Sequence, residues 1–124
     1  MQFLVLIYND PKLVDAMPAS EFDKTMRGCI GKADEMQREG TLLASRMLQP
    51  PSTARSIRIR EGKQTILDGP FAETKEVLAG FNLIEAENID EAVQLAMNFP
   101  WSATGCVEVR PVLDSAIMRE RVGA

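Results

Sequence analysis

The opening strand candidate constrains this chain more than any other stretch. Successive side chains of a strand point to opposite faces, so residues 2 to 8 set Phe3, Val5 and Ile7 on one side and Leu4, Leu6 and Tyr8 on the other. A segment apolar on both sides belongs inside a sheet that is covered twice. Whatever fold forms must find a cover for each face.

The remaining sequence offers helices for only one of them. Ser20 with Asp23 three residues on reads as a helix start. Phe22, Met26, Cys29, Ile30, Ala33 and Met36 then recur at spacings of three and four, as far as about Glu39 and the stop at Gly40. Asn88 with Glu91 opens a second helix, whose predicted buried face is Ile89, Ala92, Val93, Ala96 and Met97 and whose end is Pro100. Further strands are predicted at 41–48, stopped by Pro50-Pro51, at 79–86 and at 106–112. Between Thr53 and Asp68, Ser56, Arg58 and Arg60 alternate with Ile57 and Ile59, followed by Glu61-Gly62-Lys63 and Gln64-Thr65-Ile66-Leu67. This pattern predicts an inserted β-hairpin with one wet face. Residues 9–18 read as a polar loop.

With the hairpin set aside, the order is strand, helix, strand, strand, helix, strand. The simplest fold for that order is an α+β ferredoxin-like sandwich, here one domain over residues 1–113 with a C-terminal tail at 114–124. Right-handed crossovers place both helices on the same face. The other face is left apolar. At roughly 25 cal/mol per Å², an uncovered face on the order of several hundred Å² is a liability of many kcal/mol. The expected remedy is a homodimer with sheets packed face to face.

Composition narrows the function. A net charge of −4 and a pI near 4.9 argue against a nucleic-acid footprint, which needs Lys and Arg clustered on one surface. The apolar N-terminal run stops at Asn9-Asp10-Pro11, too short to cross a membrane and without the cationic start of a signal peptide. The expectation is therefore a cytoplasmic protein with no membrane or nucleic-acid partner. Cys29 and Cys106 are the only cysteines, too few and too far apart for a disulfide framework or a paired metal motif, and are expected to be buried. The chain has no histidine, which excludes Ser-His-Asp and Cys-His chemistry, the usual zinc ligand and an axial haem ligand. No cofactor motif is present, and the expected metal and cofactor content is none. Catalysis, if any, is left to carboxylates, Lys, Tyr or Cys.

Charge is densest at Asp68-Gly69-Pro70-Phe71-Ala72-Glu73-Thr74-Lys75-Glu76, which runs into Gly80-Phe81 and Leu83-Ile84-Glu85. This run, with Leu6-Ile7-Tyr8, Leu48-Gln49-Pro50-Pro51-Ser52-Thr53-Ala54 and Val107-Glu108-Val109-Arg110-Pro111, closely resembles the DGPF subgroup of YCII-related proteins over nearly the whole chain up to the tail. The resemblance implies a ferredoxin-like subunit in a dimeric α+β barrel, with a cleft between sheet and helices. It also implies a family of mostly uncharacterised members, some of them enzymes. A His-Asp pair has been proposed to act in the wider group, and this chain has no histidine to form one.

Two functional classes follow. In the first, a homodimer binds a small polar molecule in its cleft, with carboxylates available for acid/base chemistry. Asp68 is the candidate catalytic residue; the alternative for it is a turn cap. Glu73, Lys75 and Glu76 are candidate ligand contacts or a solvated charge cluster. Glu108 and Arg110 share a strand face and are read as a structural pair or as cleft-lining groups. Tyr8 offers a hydroxyl near the cleft, and Arg46 an anchor for an anion or a carboxylate. The second class is a non-catalytic protein-interaction module, in which the dimer or its hairpin of residues 53 to 68 docks onto another protein, marked by an exposed apolar patch or edge strand away from the cleft.

Overall fold

The computed structural model describes residues 1–124. Six strands and four helices follow one another: β1 (Gln2–Asn9), α1 (Pro11–Asp15), α2 (Ala19–Arg38), β2 (Leu42–Met47), β3 (Arg55–Arg60), β4 (Lys63–Asp68), β5 (Val77–Glu85), α3 (Ile89–Ala96), β6 (Gly105–Pro111) and α4 (Ser115–Val122). Short 3₁₀ turns occupy Pro51–Thr53 and Pro100–Ala103. No helix is long and apolar enough to cross a membrane.

β2, β5, β1 and β6 form an antiparallel sheet in that order. The doubly apolar strand β1 is thus hydrogen-bonded on both sides. Phe3, Val5 and Ile7 are buried beneath the helices and join Ile84, Leu42, Met36, Ala92, Ala96, Phe99 and Trp101 in one core. Leu4, Leu6 and Tyr8 face the other way, beside Leu83 and Phe81 of β5. These five are only partly buried, and none belongs to the core.

Local chemistry explains the element ends. The segment expected to be a polar loop contains α1, because Asp10 accepts the Lys12 N–H at 3.0 Å and Pro11 occupies the first helical position. α2 starts one residue before Ser20, after Pro18, and has no side-chain cap. Ser20 is therefore not the cap its spacing implied. Asn88 does cap α3, accepting the Glu91 N–H at 2.9 Å. Only the alanine stripe of α3 is buried, however. Ala92 and Ala96 touch the core, while Ile89, Val93 and Met97 are exposed, since eight residues present too narrow a face to bury all five. Cys29 is half-buried and Cys106 exposed. Cys106 lies opposite Tyr8 on edge strand β6, on the face away from the core, and so escapes the burial expected of it.

Two glycines let strands approach closely. A Cβ at Gly80 would lie 2.7 Å from the Arg46 carbonyl oxygen, and one at Gly105 would lie 1.9 Å from that of Tyr8.

β3 and β4 pair only with each other. Their two-residue turn, Glu61-Gly62, has φ of 53° and 73°, the positive pair that a tight hairpin of this hand requires. At the base, Gly69 N–H donates to the Ala54 carbonyl at 2.7 Å and the Ser56 hydroxyl to that of Gly69 at 2.8 Å.

Candidate functional site

α2 does not seal its whole length against the sheet. Met36 near its C-terminal end is fully buried, but Phe22, Met26, Cys29 and Ala33 are only partly so, and Ile30 is exposed. Between these side chains and the sheet lies a cavity of about 470 Å³. Ile7 and Asn9 of β1, Ala79 to Asn82 of β5 and Ser45 to Met47 of β2 contribute to the sheet side. Phe99 and Trp101 contribute too, and Phe22 tilts against the Trp101 ring with centroids 6.2 Å apart. Gly80 leaves room where any side chain would collide with β2.

Thirteen of the nineteen lining residues are hydrophobic, so the few polar groups decide what the cavity accepts. Asn82 is the chief of these. It is 6% exposed, and its carboxamide makes no hydrogen bond within the chain. No buried side-chain polar atom is sealed off without a partner, so the amide keeps access to the cavity. Ser45 sits directly across the β2–β5 ladder from Asn82. Asn9 takes the Thr104 hydroxyl on its Oδ1 at 2.9 Å, which leaves its amide donors unused by that bond. The Arg46 guanidinium donates to the Ser45 carbonyl at 2.6 Å. Neither a carboxylate nor a lysine lines this cavity.

The residues singled out from sequence are distributed over several places. Asp68 is 87% exposed and its Oδ1 lies 3.1 Å from Arg55 Nε, which ties the two hairpin strands together. Glu108 and Arg110 pair at 2.7 Å along β6. Lys75 Nζ lies 3.9 Å from Oδ2 of the buried Asp10. Tyr8, Glu73 and Glu76 do converge, on a second and wider hollow of about 850 Å³ between Leu48–Ala54 and Pro70–Leu78. Arg46 lines the cavity under α2. No group of three or more His, Cys, Asp or Glu side chains is placed to hold a metal ion.

Asn82, Ser45 and Asp10 are the residues sequence reasoning passed over. Asn82 carried a legible signal: a carboxamide in the apolar strand 79–86, in phase with Gly80 and Ile84 on the inward side. Asp10 carried another, since an Asp directly before Pro marks a helix start.

An antiparallel sheet with helices on one face, and between them an apolar cavity with a few polar groups at its floor, defines a small α+β protein with a cavity of ligand size. The chain belongs to the family described as the YCII-related domain, which it matches over residues 1–116. It is 36% identical over 114 residues to the uncharacterized protein R00369 of Rhizobium meliloti (strain 1021), an alignment spanning 90% of this chain and 92% of that one. Among solved structures it is similar in fold to 5-chloro-2-hydroxyhydroquinone dehydrochlorinase (TftG) from Burkholderia phenoliruptrix AC1100, in complex with 2,5-dihydroxybenzoquinone. That likeness has a TM-score of 0.54 at 13% identity and covers 91% of this chain and 94% of that one.

Proposed function

We propose that this chain is a cytoplasmic, homodimeric YCII-related protein of the DGPF subgroup that binds a small, mostly apolar molecule under α2. Asn82 carries the reading. Its amide makes no hydrogen bond within the chain and opens onto a cavity of ligand size, where a ligand could complete it. A ring-shaped molecule with a carbonyl or hydroxyl at one end would satisfy Asn82 and Ser45 while its body meets Phe22, Met26 and Trp101. Hydroxylated quinones and phenols form a natural first panel, because TftG holds 2,5-dihydroxybenzoquinone on a similar fold.

The ferredoxin-like assignment is supported by the strand order β2-β5-β1-β6 with helices between β1 and β2 and between β5 and β6. A dimeric barrel is supported by the partly buried row Leu4, Leu6, Tyr8, Phe81 and Leu83 on the face without core helices. A thermal-shift screen tests the ligand reading, since binding to the native state raises apparent stability. Ligands that stabilise the wild type should leave Asn82→Leu unmoved. Equal shifts in both proteins would place binding elsewhere.

One observation favours a second reading, acid/base chemistry at the wider hollow. Glu73, Glu76 and the Tyr8 hydroxyl share it, and it is the only one of the two spaces with carboxylates. A Glu73→Gln/Glu76→Gln double variant that keeps ligand binding under α2 but loses turnover would establish it.

A further inference from the structure

The hairpin β3–β4 is made to a clear plan yet covers nothing in its own chain. Every residue of β4 is exposed. Ile57 and Ile66 face each other across the ladder at 63% and 65% exposure, and Ile59, on the same side by alternation, is 61% exposed. No hydrogen bond from residues 55–68 reaches the four-stranded sheet. Two strands alone are marginal in water, so an apolar hairpin face of this kind calls for a partner surface.

Charge points to which one. The hairpin carries four cations, Arg55, Arg58, Arg60 and Lys63, against Glu61 and Asp68, a net of +2. The whole chain is −4, so the remainder carries −6. The basic arm and the acidic body of another copy attract each other. Position agrees. The residues flanking the hairpin line the same hollow as Tyr8 and Leu78, at the border of the face without core helices. Six residues at about 3.3 Å each give the arm a length of roughly 20 Å, enough to lie across a neighbouring sheet about four strands wide.

We propose that β3–β4 is an exchange arm that clasps a second copy of this chain, with Ile57, Ile59 and Ile66 on the partner's surface and the arginines at the rim. The inference rests on the homodimer reading and adds to it the element that fastens the dimer. Its mutual geometry is that of a two-fold pair, in which each copy both gives and receives an arm.

Sedimentation equilibrium on three full-length proteins tests it: the wild type, Ile57→Glu/Ile66→Glu, and Arg58→Glu/Arg60→Glu. Ile57, Ile66 and Arg60 are exposed, whereas Arg58 is half-buried and donates to the Phe71 carbonyl at 3.5 Å; far-ultraviolet circular dichroism checks that each variant folds, and Ile57→Ser/Ile66→Ser and Arg60→Glu alone serve should the double changes disturb the hairpin. The expected result is a wild-type dimer whose dissociation constant rises at least tenfold in both variants, with amide exchange in β4 slowing as wild-type concentration rises. A wild-type dimer with unchanged dissociation in both variants would overturn the arm and leave the dimer standing. A wild type that stays monomeric would overturn both. Binding of the arm to anionic vesicles or RNA, with dimerisation unaffected by the variants, would also count against it.

Discussion

Ser45 and Asn82 stand opposite each other on β2 and β5, and both open into the cavity beneath α2. Neither side chain is claimed by a hydrogen bond within the protein. Two adjacent polar groups on the inward side of an apolar sheet are costly unless something else completes them. Their presence, together with the partial lift of α2 over Phe22 to Ala33, is the physical basis for reading the cavity as a binding site.

Asn82→Leu should separate stability from binding. Removing an amide that has no partner within the chain but stays accessible from the cavity is expected to change unfolding free energy by less than about 1 kcal/mol, read from urea denaturation, while weakening any ligand bound under α2 at least tenfold. A site that had to be stable rather than receptive would show the reverse.

Gly80 and Gly105 should resist even small side chains, and unequally. Gly105→Ala forces its Cβ towards the Tyr8 carbonyl at 1.9 Å, against 2.7 Å to the Arg46 carbonyl for Gly80→Ala. In both cases backbone must move. Overpacking of this kind costs about 1–3 kcal/mol, and denaturation should rank Gly105→Ala as the more damaging.

The Asp10–Lys75 pair should be lopsided. Asp10 is buried and caps α1, so Asp10→Ala is expected to cost about 1 kcal/mol from the lost cap. Lys75 is 84% exposed and 3.9 Å away, so Lys75→Ala should change stability by less than about 0.5 kcal/mol. A double-mutant cycle measures the coupling, which should be equally small.

The two thiols should respond differently to ligand. Cys29 lines the cavity and Cys106 lies on the far face. Alkylation by iodoacetamide, followed by mass spectrometry, should slow at Cys29 when the cavity is filled and stay unchanged at Cys106.

Much of this fold was legible because its signals were local and redundant. The alternation in Phe3–Tyr8, the Asn88 cap and the Glu61-Gly62 turn each specify an element through backbone chemistry that tertiary contacts do not override. The start of α2 was misread because Pro18 fixes the entry of the chain without any side-chain cap. The buried face of α3 was overestimated because periodicity shows which residues share a stripe, not how much of it a neighbour covers. The site was less legible still. Dense charge marks Asp68 to Glu76, where Asp68 pairs with Arg55 at 3.1 Å and Lys75 lies 3.9 Å from Asp10. The cavity under α2 is marked in the sequence only by one carboxamide in an apolar strand, and its volume depends on how α2 packs over the sheet, which no local pattern encodes.

Amide chemical shifts followed during titration of the wild type with a hydroxylated quinone or phenol that raises its melting temperature test the central claim most directly. Binding under α2 predicts the largest shifts at Ser45, Gly80, Asn82 and Cys29, with little change around Phe71 to Glu76. Shifts gathered at Tyr8 and Phe71 to Glu76, with Asn82 unmoved, would contradict it.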